Sequence, residues 1–310
     1  MIDSRLHVLR TFGTCGTVSA TAELTGYSPS AVSAQLREYQ RALGMKLLVK
    51  DGRGLRLTAT GRYLVERSDE LIEQWEHIRA SALSAGEQTP TDFGIGGFST
   101  AASNLLAPLA AHMKRTKPEV HVRVVEAPPA RCFELLVAER IDLAVVIAMQ
   151  ADVQVDDDPR FQQITLLNDP LDVIVSLDHP VAGRSSVTLN ELAREDWITD
   201  APGSSYRSLF TAAFTAVGIT PRITHEIAEW ETSIALVEAG VGIGLMPRLV
   251  SLESVRDVVR VQIAGDHVPT RRIVAAMRAG SLESPLIRES LSHLRDTARM
   301  ILGTRLEQES

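Results

Sequence analysis

The residues best suited to chemistry near the start of the chain are closely spaced: the polar Ser28, Ser30, Ser33, Gln35 and Arg37, with Pro29 among them. The hydroxyl, amide and guanidinium groups of the polar five are hydrogen-bond donors and acceptors. Lys50, Arg53 and Arg56 follow on a hairpin pattern, placed to reach a phosphate or a minor groove. A second set lies further along. Ser99, Thr100 and Ser204 supply small polar groups, Ala201 and Gly203 supply room, and Pro128, Ile147 and Ile227 supply apolar walls. That mixture suits a small organic acid or an amino acid, and many other small molecules as well. No catalytic constellation accompanies either set. There is no G-x-S-x-G, no phosphate loop and no His pair at metal spacing, and the eight His are scattered. Gly94-x-Gly96-Gly97 lacks the full dinucleotide spacing, and the GVGIG run from Gly240 is a weak match. Cys15 and Cys132 are far apart and sit in apolar helical patterns, so they read as buried structural residues. No catalytic residue, metal or cofactor is expected.

The first set needs an element to position it, and the stretch from Val18 to Arg37 supplies one. Two short helical patterns flank a bend at Gly26, where glycine takes positive φ at no steric cost. Ala22 lies where the helices press closest, and Val32 points back into a small core. Ser28 is the expected N-cap of the second helix, with Pro29 in its first turn. A helix from Asp3 or Ser4 to about Cys15 precedes this unit. Two short strands around Asp51-Gly52-Arg53-Gly54 follow it and make it a winged helix-turn-helix. From Thr58 to about Ala85 the pattern is one long helix. Leu64, Leu71, Ile78 and Ala85 alternate with Ser68, Trp75 and Ala82 by four and three, an a/d seam that asks for a second copy.

The second set needs a different framework. Gly86 to Thr91 reads as a linker, and beyond it strands and helices alternate. A helix is expected over Thr100–Thr116, capped by Ser99 or Thr100, and another over Pro129–Arg140. Strands are expected at Ile164–Leu167 and Leu171–Ser176, and a short helix at Leu189–Ala193. Two successive α/β units describe two lobes around a cleft, with ligands outside the carboxyl ends of the strands.

Charge divides the chain the same way. Residues 1–65 hold nine Lys/Arg against four Asp/Glu, net +5; the remainder holds 23 against 35, net −12. A basic head on an acidic body suits one DNA-facing module and one with another task. No signal peptide is visible, and no apolar run approaches the roughly 18 residues a spanning helix needs. The expected location is cytoplasmic.

The chain resembles the LysR-type transcriptional regulators over nearly its full length. The resemblance is carried by ATAELTGYSPSAVSAQLREYQRALG, by LLVKDGRGLRLTATG and by EAGVGIGLMP near residue 240. It implies an N-terminal all-α winged helix-turn-helix (1–60), a dimerising linker helix (61–86) and a C-terminal α/β two-lobed effector domain like the periplasmic binding proteins (91–305). Lobe 1 would take about 91–162 and 268–305, and lobe 2 about 163–267. The implied function is a ligand-responsive regulator that binds a promoter inverted repeat as a homodimer or homotetramer, switched by a small molecule in the inter-lobe cleft. Double-stranded DNA, the effector and RNA polymerase are the partners this allows, with no membrane. An α/β enzyme or a solute-binding protein using the same cleft is the alternative. The missing signal peptide and the unexplained residues 1–85 count against the latter. One departure stands out. Many members have Arg directly after the recognition-helix Ser, and this chain has Ala34 after Ser33. A bidentate guanine contact is lost there, so base reading leans on Pro29, Ser30, Ser33, Gln35 and Arg37.

Overall fold

The structure is a computed structural model that describes residues 2–52, 54–86, 91–148, 158–252, 257–266 and 268–307. It forms two compact units. The first comprises 1–146, 154–164 and 274–294; the second comprises 147–153, 165–273 and 295–310.

The first unit opens with three helices: α1 (Ser4–Cys15), α2 (Val18–Thr25) and α3 (Pro29–Leu43). Their N-caps are Asp3, Thr17 and Ser28, and each side chain accepts a bond from a backbone N–H two or three residues on. Each helix ends at a glycine in the left-handed region. Leu9, Phe12, Val32 and Leu36 close a common core, which Leu47 and Leu48 join from the wing. The wing is an antiparallel pair, β1 (Leu48–Asp51) and β2 (Gly54–Leu57), in register from Leu48 opposite Leu57.

Helix α4 (Ala59–Ala85), capped by Thr58, has a packed face and an exposed face beside it. One packs within its own unit through Ser68, Ile72, Glu76 and Ala80. The other leaves Leu71, Trp75 and Ile78 exposed. Ser68 is buried and so sits with the packed face, not with the exposed seam expected of it, because it borders that face at helical spacing from Ile72.

Beyond α4 come β3 (Asp92–Gly97), α5 (Ser99–Ala101), a π-helical stretch (Ala102–Leu106) and α6 (Ala107–Thr116). They are followed by β4 (His121–Glu126), α7 (Pro129–Val137) and β5 (Leu143–Ile147). The strands are parallel in the order β4-β3-β5. Helix α7 stops three residues before Arg140, because Glu139 adopts φ 51 and the Arg140 N–H turns back to the Leu135 carbonyl.

The second unit repeats that order. Strands β8 (Asp196–Thr199), β9 (Arg222–Glu226) and β10 (Ile243–Pro247) are parallel as β9-β8-β10, with α8 (Ser205–Ala216) and α9 (Trp230–Glu238) between them in sequence. Strand β6 (Phe161–Ser176) runs antiparallel to β10 and to β11 (Val258–Ile263), and the short β7 (Ser186–Val187) pairs with β11. Trp197 is fully buried, with the Phe210 and Phe214 rings edge-on to it at 5.5 and 4.9 Å. Strand β12 (Thr270–Arg278), helix α10 (Pro285–Glu307) and the strands β5 and β6 each contribute residues to both units.

Two expectations change here. Residues 161–176 form one strand, not two. Asn168-Asp169-Pro170 looks like a turn, but Asp169 is fully buried and bonded by Arg271 and by the Leu249 N–H. Tertiary partners thus hold an apparent breaker inside a strand. Residues Leu189–Ala193 form turns, not a helix. Their backbone bonds run from i+3 to i, and Leu189 and Leu192 are drawn into the core.

Candidate functional site

Helix α3 is presented by its own buried ridge. Val32, Leu36 and Tyr39 recur at helical spacing and face the core. Ser30, Ser33 and Arg37 fall on the opposite side, with Ala34 and Arg41 in the same stripe. The bend before the helix depends on Gly26 at φ 76, whose N–H closes on the Ala22 carbonyl at 2.9 Å. Ser28 acts as a cap: its Oγ accepts from Ala31 N–H at 3.2 Å and lies 2.9 Å from Ser30 Oγ. Pro29 is exposed at the first turn. Gln35 stands apart from the stripe, toward the packed face. It is partly buried, and its Oε1 has no hydrogen-bond partner among the described residues.

Two residues of this region escaped the sequence analysis. Arg41 extends the exposed stripe, a placement that a helical projection would have revealed. Gln40 is a positioning residue. Its Oε1 accepts from the N–H groups of Leu47 and Leu48, both at 2.9 Å, and so fixes the wing to α3. On the wing, Lys50 and Arg56 are exposed, and Arg56 approaches Asp51 at 3.9 Å. Arg53 lies outside the described residues, as do 87–90 of the linker.

The second candidate set falls at strand ends in each unit. In the first unit, β3 runs into Phe98, Ser99 and Thr100, and Pro128 follows β4. The N-cap position of α5 is Phe98, which makes no side-chain cap. Neither Ser99 nor Thr100 is the cap, because both already lie within the helix. Ser99 is exposed and Thr100 buried. Ser103 Oγ and Asn104 Nδ2 donate back to the carbonyls of Ser99 and Thr100, at 2.7 and 3.0 Å, where the helix widens to a π-turn. In the second unit, Ile147 ends β5, and β8 leads through Ala201 and Gly203 to Ser204. Gly203 has φ 92, and Ser204 Oγ caps α8 by accepting from Arg207 N–H at 3.0 Å. Ile227 follows β9 and packs on the second unit's core. Thr199 was not anticipated. It ends β8, is 2 % exposed, and its hydroxyl has no hydrogen-bond partner among the described residues.

Burial pushes the Cys132 thiol up to about 12, so it stays a thiol at neutral pH. Among the described residues no group of three His, Cys, Asp or Glu could hold a metal ion. No helix there is long and apolar enough to cross a membrane.

Comparison with known proteins agrees with this geometry. Residues 4–62 match the model of the bacterial regulatory helix-turn-helix protein of the lysR family. Residues 88–299 match the LysR substrate binding domain. The chain is similar to the HTH-type transcriptional regulator CatR of Pseudomonas putida, 29% identical over 87% of this chain and 90% of that protein. It is 24% identical to GltR of Bacillus subtilis, over 94% and 95% of the two chains. A full-length OxyR variant from Pseudomonas aeruginosa shares the fold, with TM-score 0.68 at 19% identity over 97% and 95%. So does full-length CbnR in complex with its target DNA, with TM-score 0.55 at 20% identity over 96% and 100%. Relatives named as regulators agree with the absence of any catalytic constellation. The two models together span most of the sequence, and the chain belongs to the LysR family of ligand-responsive, DNA-binding transcriptional regulators.

Proposed function

We propose that this regulator reads a promoter inverted repeat through Ser30, Ser33 and Arg37 in the major groove. Pro29 sits at the groove edge, Ser28 holds the helix start, and Gln35 shapes the flank. Lys50, Arg53 and Arg56 hold phosphate or minor groove from the wing. The observation that carries this is the division of α3, with Val32, Leu36 and Tyr39 buried and, on the other side, Ser30, Arg37 and Arg41 exposed with Ser33 half-buried beside them. The proposed domains are 1–60, 61–86 and 91–305, and the proposed assembly is a homodimer through α4, pairing further into a tetramer. Leu71, Trp75 and Ile78, exposed beside the packed face of α4, support that assembly. RNA polymerase is the proposed partner at the promoter, and the cytoplasm the proposed compartment.

The proposed effector is a small organic acid or amino acid. In both units the strand order places a switch point at the carboxyl end of the first strand, β3 or β8, where open α/β sheets hold ligands. Backbone N–H groups after Phe98 and around Gly203–Ser204 favour a carboxylate. Thr199 brings a hydroxyl, and Pro128, Ile147, Ala201 and Ile227 bring apolar surface. A gel shift with the DNA upstream of the protein's own gene tests DNA binding; no shift at low salt would sink it. Thermal-shift screening against metabolites, then calorimetry on a Ser99→Ala, Thr100→Val variant, tests the effector site. Unchanged affinity would remove those two residues from it.

A further inference from the structure

The recognition head and α4 join the body of the first unit covalently through one short segment, residues 86–91. They also meet it along a seam of polar contacts. Arg131 of α7 reaches Glu23 of α2 at 2.5 Å, and His7 of α1 lies 3.5 Å from Glu139. Arg160 donates to Thr14 at 3.3 Å. At the centre, Arg278, the last residue of β12, bonds Glu76 of α4 at 3.2 Å and Asp142 at 2.8 Å. Its guanidinium also donates to the carbonyls of Leu136 and Ile141. Arg278 and Glu76 are 5 % and 4 % exposed. Burial opposes the charge on Arg278, but Glu76 and Asp142 overcome it and hold its pKa above the ordinary value. Two residues on, a Cβ at Gly280 would collide with the Glu73 carbonyl of α4, so backbone meets backbone there.

Three features give this seam a purpose. First, it leaves the reading face open: Pro29, Ser30 and Arg37 remain exposed while the head is docked. The seam orients the head without blocking it. Second, buried ion pairs are geometrically exacting yet gain little net free energy, because separated ions recover their hydration. Such a contact can open at modest cost and re-form in one arrangement. Third, Arg278 ends a strand whose opposite end is anchored in the second unit, where Arg271 bonds the buried Asp169 at 2.6 Å.

We propose that this seam is a positional latch. Glu76–Arg278, Glu23–Arg131 and His7–Glu139 hold the head and α4 in one orientation on the effector-domain body. A shift at the end of β12 then reaches the recognition helix as a change of direction. The inference rests on the regulator reading and adds the device that sets the spacing of two heads on DNA.

The test uses the full chain and a duplex selected by it from random sequences. Fluorescence anisotropy gives the affinity for that duplex, for versions with one or two base pairs inserted between half-sites, and for a single half-site. The wild type should lose affinity with each insertion. Arg131→Glu should shrink that penalty about threefold, the scale of one exposed pair, and Glu76→Lys about tenfold, because it breaks a buried one. Half-site affinity should stay unchanged. Adding Glu23→Arg to Arg131→Glu should bring the penalty back, and Glu76→Lys should raise the radius of gyration in small-angle scattering. An unchanged penalty in both single variants overturns the latch alone. A half-site affinity lowered by Arg131→Glu also overturns it, since that residue would then touch DNA. A wild type that binds no duplex overturns the regulator reading and the latch with it.

Discussion

Glu139 shows how much one residue can depend on its surroundings. It is non-glycine at φ 51, a region few side chains enter. The His7 imidazole, 3.5 Å away, holds its carboxyl down to about 2, with Arg278 and Arg10 adding to the effect against burial. The folded value lies below the unfolded one, so ionised Glu139 adds stability above about pH 4.5 and loses it as pH falls toward about 2. The side chain is nearly half exposed, so screening reduces the effect. Glu139→Gln should flatten the dependence of the urea midpoint on pH within that window. An unaltered acid limb would show that the carboxylate is not linked to folding. Ser28 and Ser33 separate in another way. Ser28→Ala should cost about 1 kcal/mol of head stability through loss of the cap. Ser33→Ala should leave the melting curve alone and weaken DNA binding instead. Equal effects on both properties from both variants would contradict the division of α3.

Among the elements, α4 carries the most divided task. Its packed face holds it to its own unit, and its exposed face is the one proposed to meet a second copy. The two faces make opposite predictions. Leu71→Asp with Ile78→Asp should abolish dimerisation in sedimentation and weaken binding to an inverted repeat, with the monomer still folded. Ile72→Ala should instead destabilise the unit, by about 2–5 kcal/mol for a buried isoleucine, and leave the subunit association intact. A Leu71, Ile78 variant that sediments as a dimer would move the interface elsewhere.

For the molecule as a whole, charge is distributed by function. The chain carries −7 overall, yet its first 65 residues carry +5. Affinity for DNA should therefore fall steeply with salt in spite of the acidic body. Log affinity should decline linearly with log salt, because each neutralised phosphate releases counterions. Arg53→Ala should lower that slope by about one. A slope near zero, or one that Arg53→Ala does not change, would place the DNA-facing charge elsewhere.

The helix-turn-helix was legible in the sequence because its constraints are local. A glycine at the bend, a serine cap before a proline and a ridge at helical spacing act over twenty residues. The same holds for the wing, the length of α4 and the alternation of strands and helices, which follow from periodicity and turn chemistry. What depends on distant partners was not legible. Asp169-Pro170 reads as a break until Arg271, 102 residues away, neutralises the buried carboxylate inside a strand. Leu189–Ala193 reads as a short helix until Leu189 and Leu192 are drawn into the core and the segment closes as turns. Glu76 reads as one more charge on a solvated helix until Arg278, 202 residues on, meets it in the interior. Local sequence set the elements through backbone preference and apolar spacing. Only the tertiary structure could decide which charges are buried together, because pairing depends on positions in space that no short window of sequence encodes.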